Sequence, residues 1–314
     1  MGLDFNSVKF LLWSKNLGVS FERTLTLGHQ GFYCPPSRFR RAVRDFGLAA
    51  TPDAINQCFR HTPMTALYAD EFFGFLGTQE MVTVDRSDFE GATLLHDLND
   101  RFPEKIRGHF DLVVDGGTLE HIFNYPAALR NCLELIRVGG HFVTFTPASC
   151  QMGHGFYQFS PELFYRVFSA ENGFAIRKLV LFECLKEDSA YYEAKDPAVT
   201  QQRSELFSSR PMQMAVLAQK IADVPVFAAP PQQSDYAAAW EGHQQASAVK
   251  KTGSHSDRFR QLRIKLNPYW PWWLRRWRDS LRYRWLQGSP TLGNHRHFRK
   301  LSREEIIRER AVSK

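Results

Sequence analysis

The chain has 314 residues, enough for one large α/β domain with an appendage or for two small domains. With 43% hydrophobic and 14% aromatic residues it can bury a core, which excludes disorder of the whole chain. The net charge of +7 is uneven: residues 250–314 hold 18 Lys and Arg against 5 Asp and Glu, leaving the first 249 residues at −6, so a mildly acidic body carries a strongly basic tail.

The five cysteines (Cys34, Cys58, Cys132, Cys150, Cys184) are odd in number, widely spaced and form no CxxC pair. That pattern argues against a disulfide framework or a thiolate zinc site and predicts reduced, mostly buried thiols. The opening MGLDFNSVKFLLWSKNL is too short and too polar-flanked for a signal peptide or membrane span, and Asn6 breaks the myristoylation pattern. The expectation is a cytoplasmic protein.

In chain order, an amphipathic segment (residues 5–17) precedes a strand at Thr24–Leu27, which runs into Gly28-His-Gln-Gly31. A Phe-, Arg- and Ala-rich region with Pro35-Pro36 and Thr51-Pro52 follows and predicts a helical insertion or a lid over 34–79. Met81–Asp85 and Ala92–Asp97 predict strands that each end in an acid, and Phe110–Asp115 is the clearest buried strand, followed by Gly116-Gly117. Leu129, Cys132, Leu133 and Ile136 share one face of a helix predicted over Tyr125–Val138, stopped by Gly139-Gly140. A strand His141–Thr146 ends at Pro147. Ser160 as N-cap and Pro161 in the first turn open a helix to Gly173. Phe174–Cys184 and Met212–Gln219 bring the strands to seven. Strands alternating with helices predict an α/β fold with a largely parallel, seven-stranded sheet and helices on both faces.

In such a sheet, ligands bind at the carboxyl ends of the strands near the switch point. Here those ends carry Gly28, Asp85, Asp97 and Asp115-Gly116. A carboxylate just past a strand can accept two ribose hydroxyls, and Asp97-Leu98-Asn99 offers a carboxylate and an amide to an adenine amino group. The pattern suits an adenosine ligand better than a bare phosphate: no Walker loop is present, and GHQG is not GxGxxG.

At this point the sequence resembles the class I S-adenosylmethionine-dependent methyltransferases. DLVVDGGTLEHIFNYPAALRNCLELIRVGGHFVTFTP resembles that family's fourth strand, Leu-Glu-His turn, helix, Gly-Gly break and fifth strand. GHGFYQFSPELFYRVFSAENGF is similar to an active-site loop and helix of one branch, and VTVDRSDFEGATLLHDLN to its second and third strands. The resemblance spans roughly 20–220 and is specific over 81–174. It implies a Rossmann-like methyltransferase fold, with S-adenosylmethionine as cofactor. It further implies Asp85 on the ribose hydroxyls, Asp97 near the adenine and Gly28 beside the methionyl part. Asp115, Gly116 and the Glu120-His121 turn would line the cofactor and acceptor side.

The first loop departs from the family. Thr26 stands where an acid is usual and Gln30 where a second glycine is usual, and Asp85 lies 57 residues after Gly28. A non-catalytic scaffold with a methyltransferase-like body is therefore a rival reading.

Methyl transfer requires alignment of acceptor and methyl and removal of a proton from a hydroxyl or amine acceptor. His121 and His154 are the expected bases, with Tyr157 and Glu120 as polar positioners. Each has a plainer alternative: His121 capping its turn, Tyr157 packing its loop, Asp97 capping a local turn. The linear pattern shows no metal constellation, which predicts metal-independent transfer.

The remaining feature is NPYWPWWLRRWRDSLRYRWL (267–286). As a helix it aligns Trp273, Trp277, Leu281 and Trp285, with arginines on other faces. This suits an interfacial helix on an anionic membrane, docking on the body, or nucleic-acid contact; the acidic body and the absence of an RNA-binding module argue against the last. The expected domains are 1–221, a linker at 222–256 and a basic aromatic tail at 257–314, ending in an exposed charged helix after Ser302. The expected acceptor is a small molecule, sugar or glycolipid at the inner membrane surface.

Overall fold

The computed structural model describes residues 2–60, 68–240, 271–274, 276–277 and 290–310. The first third comprises β1 (Gly2–Leu3), α1 (Phe5–Asn16), β2 (Arg23–Leu27), β3 (Gly31–Phe32), α2 (Pro36–Asp45), α3 (Pro52–Gln57), α4 (Asp70–Phe75), β4 (Glu80–Asp85) and β5 (Leu94–Leu95). The centre holds β6 (Phe110–Asp115), α5 (Tyr125–Leu135), β7 (Ile136–Ser149), α6 (Pro161–Val167) and β8 (Phe174–Glu183). Then come β9 (Tyr192–Ala194), α7 (Pro197–Thr200), β10 (Met212–Lys220), β11 (Phe298–Lys300) and a last helix, α8 (Arg303–Arg308).

One sheet has the order β11-β9-β8-β10-β7-β6-β2-β4-β5, nine strands where seven were expected. The seven expected strands are all present; β9 and β11 extend the far edge. β5, β4, β2, β6 and β7 run parallel, while β10 pairs antiparallel with both β7 and β8. The chain enters at β2, moves outward through β4 to β5, then crosses back to β6 on β2's other side. That reversal is the switch point where a crevice opens between strand ends.

Alternation along the central strands sorts side chains into two cores. Leu112, Val114, Val143, Phe145, Val180 and Phe182 face one cluster with α1 and α2, whereas Val113, Phe142, Leu179, Leu181, Met214 and Val216 face the other with α5 and α6. Both faces of these strands are buried, which is why they read as nearly continuous apolar runs. Within the expected insertion, α2, α3 and α4 are helical; Phe39, Phe72 and Phe73 are fully buried, and Phe32 packs on Phe39 and Phe72.

At the amino ends of the central strands, the 2%-exposed Asp111 accepts from Arg23 Nε (2.9 Å) and Arg137 Nε (2.7 Å). Burial raises its pKa, but these two guanidinium groups outweigh that and hold the carboxyl below its ordinary value.

Several boundaries differ from expectation. α5 stops at Leu135, because Ile136 is already extended and pairs with Phe110; Gly139-Gly140 sit opposite a register shift inside β7 rather than ending a helix. β7 also continues through Pro147, which lies beside a bulge where a missing ladder donor is tolerated. α6 ends at Val167, and Ser160 precedes it without a side-chain capping bond. The expected linker is partly structured: Val226 is buried, residues 234–240 are helical, and Ser234 N and Oγ donate to Glu162.

The tail also differs. β11 joins the sheet, and α8 carries a reciprocal capping box between Ser302 and Glu305 and buries Ile306 in the first core, so the final helix is docked rather than free. Of the expected helix at 267–286, residues 272–274, 276 and 277 are helical, with Trp272, Trp273 and Trp277 exposed; the remainder lies outside the described residues, except Pro271. No helix among the described residues is long and apolar enough to cross a membrane.

Candidate functional site

A cleft of about 480 Å³ opens at the carboxyl ends of β4 and β5 and is lined there by Asp85, Arg86, His96, Asp97, Leu98 and Asn99. Its other wall is the turn after β6, with Thr118, His121, Ile122 and Phe123, and Phe156 from the loop after β7. This size falls in the usual range of small-ligand sites, about 300–1,000 Å³. A cavity of about 550 Å³ lies elsewhere, against α1, α2 and α8, but its Lys9 and Arg41 are paired with Asp188 and its Arg303 with Asp45, away from the strand ends.

Asp85 ends β4, and its backbone is fixed by His96 N–H donating to its carbonyl at 2.8 Å. One carboxylate oxygen accepts from Ser87 N at 3.2 Å. Asp97 accepts from Asn99 N (2.9 Å) and Asn99 Nδ2 (2.7 Å), and these bonds, the backbone one first, hold its carboxyl below the ordinary value. Asp97 thus caps a local turn and also lines the cleft. Leu98 is buried beneath it, its carbonyl taken by Asn131 Nδ2 at 3.0 Å.

The ends of β2 and β6 are filled. Gly28 has φ of +74° and donates to the Val84 carbonyl at 2.7 Å, tying the first loop to β4. Thr26 Oγ1 turns back onto the Gly28 carbonyl at 3.0 Å. Gln30 is 1% exposed; its amide nitrogen donates to the Leu27 carbonyl, while its Oε1 has no hydrogen-bond partner. That oxygen lies 2.0 Å from where a Cβ on Gly116 would stand, so a side chain at 116 would displace the glutamine's amide.

Asp115, expected to line the cofactor, is fully buried and satisfied within the fold, accepting from Thr118 N (2.8 Å), Leu119 N (3.3 Å) and Thr144 Oγ1 (2.7 Å); burial raises its pKa. It shapes the turn that presents the next residues.

Glu120 and His121 occupy that turn. Glu120 is fully buried and, among the described residues, neither carboxylate oxygen has a hydrogen-bond partner. Burial first, and Asp115 second, push its carboxyl up to about 8. His154 Nε2 approaches Glu120 Oε1 at 3.4 Å, outside hydrogen-bond geometry, and the His121 and His154 rings lie 5.3 Å apart. Partial burial, then His154, lowers the pKa of His121. The three side chains bring donor atoms within 4.8 Å of one another, a constellation that linear spacing, with 32 residues between the histidines, does not show.

The hydroxyl of Tyr157 donates to the Phe123 carbonyl at 2.7 Å and its ring stacks on Phe159, so it braces the loop. Sequence reasoning missed Phe123 and Phe156, which meet edge to face at the cleft's rim and are 77% and 67% exposed. Their signal would have been aromatics at strand-end loops on both sides of the His-bearing turns.

No family model and no curated protein matches the chain. Among solved structures, it is similar to a branched-chain polyamine synthase from Thermus thermophilus, with 12% identity, 73% of this chain and 60% of that one covered, and a TM-score of 0.35. It is also similar to a 16S rRNA (adenine(1408)-N(1))-methyltransferase from Catenulisporales acidiphilia (10%, 71% and 94%, TM-score 0.33). The methyltransferase CalH, solved with SAH, gives 14%, 69% and 57%, and a TM-score of 0.34. Scores this low bear on neither substrate nor mechanism. The sheet itself decides the architecture: five parallel strands in the order β5-β4-β2-β6-β7, then antiparallel β10 inserted before β8. The chain has the class I methyltransferase fold.

Proposed function

We propose that the protein transfers a methyl group from S-adenosylmethionine to a small-molecule, sugar or glycolipid acceptor. The observation that carries this reading is the convergence of Asp85 and Asp97 on one cleft whose opposite wall holds His121 and Phe156. The residues present fit the adenosine half of the cofactor: two carboxylates for hydroxyl and amino donors, beside the buried apolar Leu98. The unpartnered Gln30 Oε1 is an acceptor suited to an ammonium donor, in the loop where an acid is usual. When bound, the cofactor supplies the methyl by in-line displacement from its sulfonium.

The chain's own residues would do the rest. Asp85, Asp97 and the β2 loop hold and orient the cofactor; Phe123 and Phe156 shield the mouth from water and offer an apolar rim to the acceptor. The Glu120, His121 and His154 group stands beside the acceptor and takes charge of its proton. An apolar rim, together with exposed Trp272, Trp273 and Trp277, supports an acceptor presented at a membrane surface.

The filled β2 loop favours one second reading, a non-catalytic scaffold of the same fold. Calorimetric titration of S-adenosylmethionine and S-adenosylhomocysteine into the wild type and Asp85→Ala separates the two. Enzyme function predicts micromolar binding weakened at least tenfold by Asp85→Ala. No binding at millimolar ligand by folded protein sinks the enzyme reading and leaves the scaffold.

A further inference from the structure

We propose that Glu120, His121 and His154 form a binding site for one divalent transition metal ion on the acceptor side of the cleft. The proposal shares its residues with the functional reading above but does not depend on cofactor binding.

Three observations carry it. The donor atoms of the three side chains already lie within 4.8 Å of one another, and His154 Nε2 and Glu120 Oε1 are 3.4 Å apart. Donors around a tetrahedral ion at bond lengths of about 2.0–2.2 Å stand roughly 3.3–3.6 Å apart, so that pair already has the spacing of two ligands. Rotation of the exposed imidazoles closes the rest.

The second observation is Glu120 itself. It is 0% exposed, yet neither oxygen is hydrogen-bonded among the described residues. A buried carboxyl whose oxygens are left so is unfavourable unless a charge or donors meet it. An imidazole–carboxyl hydrogen bond would satisfy only one of the two oxygens. A cation shared with the imidazoles would satisfy the carboxylate's charge.

The third is that the backbone is built to bring the ligands together. Gly155, next to His154, adopts φ of +87°, and a Cβ there would fall 2.8 Å from the Glu120 carbonyl and 3.1 Å from His121 Nδ1. Phe156 N–H then donates to the Glu120 carbonyl at 2.8 Å, pinning the loop against the turn. A glycine at 155 thus lets the His154 loop dock where any side chain would hold it off.

The donor set narrows the ion. One carboxylate and two imidazoles suit Zn²⁺, Mn²⁺, Fe²⁺ or Ni²⁺ better than Ca²⁺ or Mg²⁺, which prefer all-oxygen sites. With three protein ligands and exposed imidazoles, the remaining coordination positions face the cleft and can take water or an acceptor oxygen. An acceptor hydroxyl bound there would lose its proton more readily, the histidines then serving as ligands rather than as free bases.

The test uses the full chain, stripped with chelator and titrated calorimetrically with ZnCl2 and with MnCl2, without cofactor. The expected result is one equivalent bound, with affinity lowered at least a hundredfold by Glu120→Gln and by His154→Gln. His154 is exposed and Glu120→Gln is isosteric, so both variants should fold, as near-ultraviolet circular dichroism will check. No binding by the wild type, or unchanged stoichiometry and affinity in both folded variants, overturns the site. Metal binding by a chain that ignores S-adenosylmethionine would stand while the methyltransferase reading fell.

Discussion

At the amino end of β6, Asp111 is buried between the guanidinium groups of Arg23 and Arg137, whereas just past its carboxyl end Glu120 is buried with neither oxygen hydrogen-bonded. Both carboxylates have left water, and both have paid in desolvation. At the amino end that cost is offset within the chain, and the triad ties β2, β6 and the start of β7 together. At the carboxyl end it is left open, in the place where the fold receives ligands. The difference teaches where this sheet invests in stability and where it keeps chemical potential in reserve.

Asp111→Asn should show the largest effect on folding. Removing one partner of a buried pair costs about 3–5 kcal/mol when both are dry, and the more than one-third exposure of the arginines reduces the expected loss to about 2 kcal/mol. Urea denaturation at pH 7 measures it; a loss under 0.5 kcal/mol would remove the contrast with Glu120. The pH dependence follows the same group. Because its folded pKa lies below the unfolded one of about 3.9, its contribution is complete above that pH and is lost as pH falls through the folded value. The wild-type denaturation midpoint should therefore drop below pH 4 more steeply than that of Asp111→Asn.

A smaller effect is expected at α8. Ser302→Ala removes one half of the capping box and should cost about 1 kcal/mol. Hydrogen exchange should then quicken over 298–308, and unchanged exchange there would argue that docking of Ile306 alone holds the segment. Glu305, held at about 2 chiefly by the Ser302 backbone, keeps its half of the box until pH approaches that value, so the segment's protection should persist at pH 3 and fade as pH falls further. The smallest change in stability belongs to Glu120→Gln, expected within about 0.5 kcal/mol of wild type, since the isosteric amide gives up no hydrogen bond and only the His154 approach at 3.4 Å. A loss as large as that of Asp111→Asn would show Glu120 to be structural.

The architecture was legible wherever burial is two-sided and local. Phe110–Asp115 and Phe174–Glu183 are runs whose alternate residues feed both cores, and the acids that end β4 and the β5 segment sit at the cleft as their spacing implied. What escaped were features made by residues distant in sequence. β9 and β11 are three residues each and become strands only by pairing with each other and with β8, across more than 100 residues of chain. Asp115 has the look of a site residue, yet Thr118 and Thr144 consume its carboxylate. Gln30 appears as a worn position in a loop, but its meaning depends on Gly116 beneath it. The pairing of Glu120 with His154 depends on a loop approach that Gly155 permits and no periodicity records.

The return of residues 298–308 to the sheet has a practical consequence. The composition invites a cut near residue 256, to separate an acidic enzyme-like body from its basic end. Such a fragment would lack β11, leaving the backbone of β9 as a bare margin, and would uncover the apolar seat of Leu301 and Ile306. Unpaired margins of this kind recruit strands from other molecules. The shortened chain should accordingly self-associate on purification, and a soluble version would need the last strand and helix rejoined across an internal deletion.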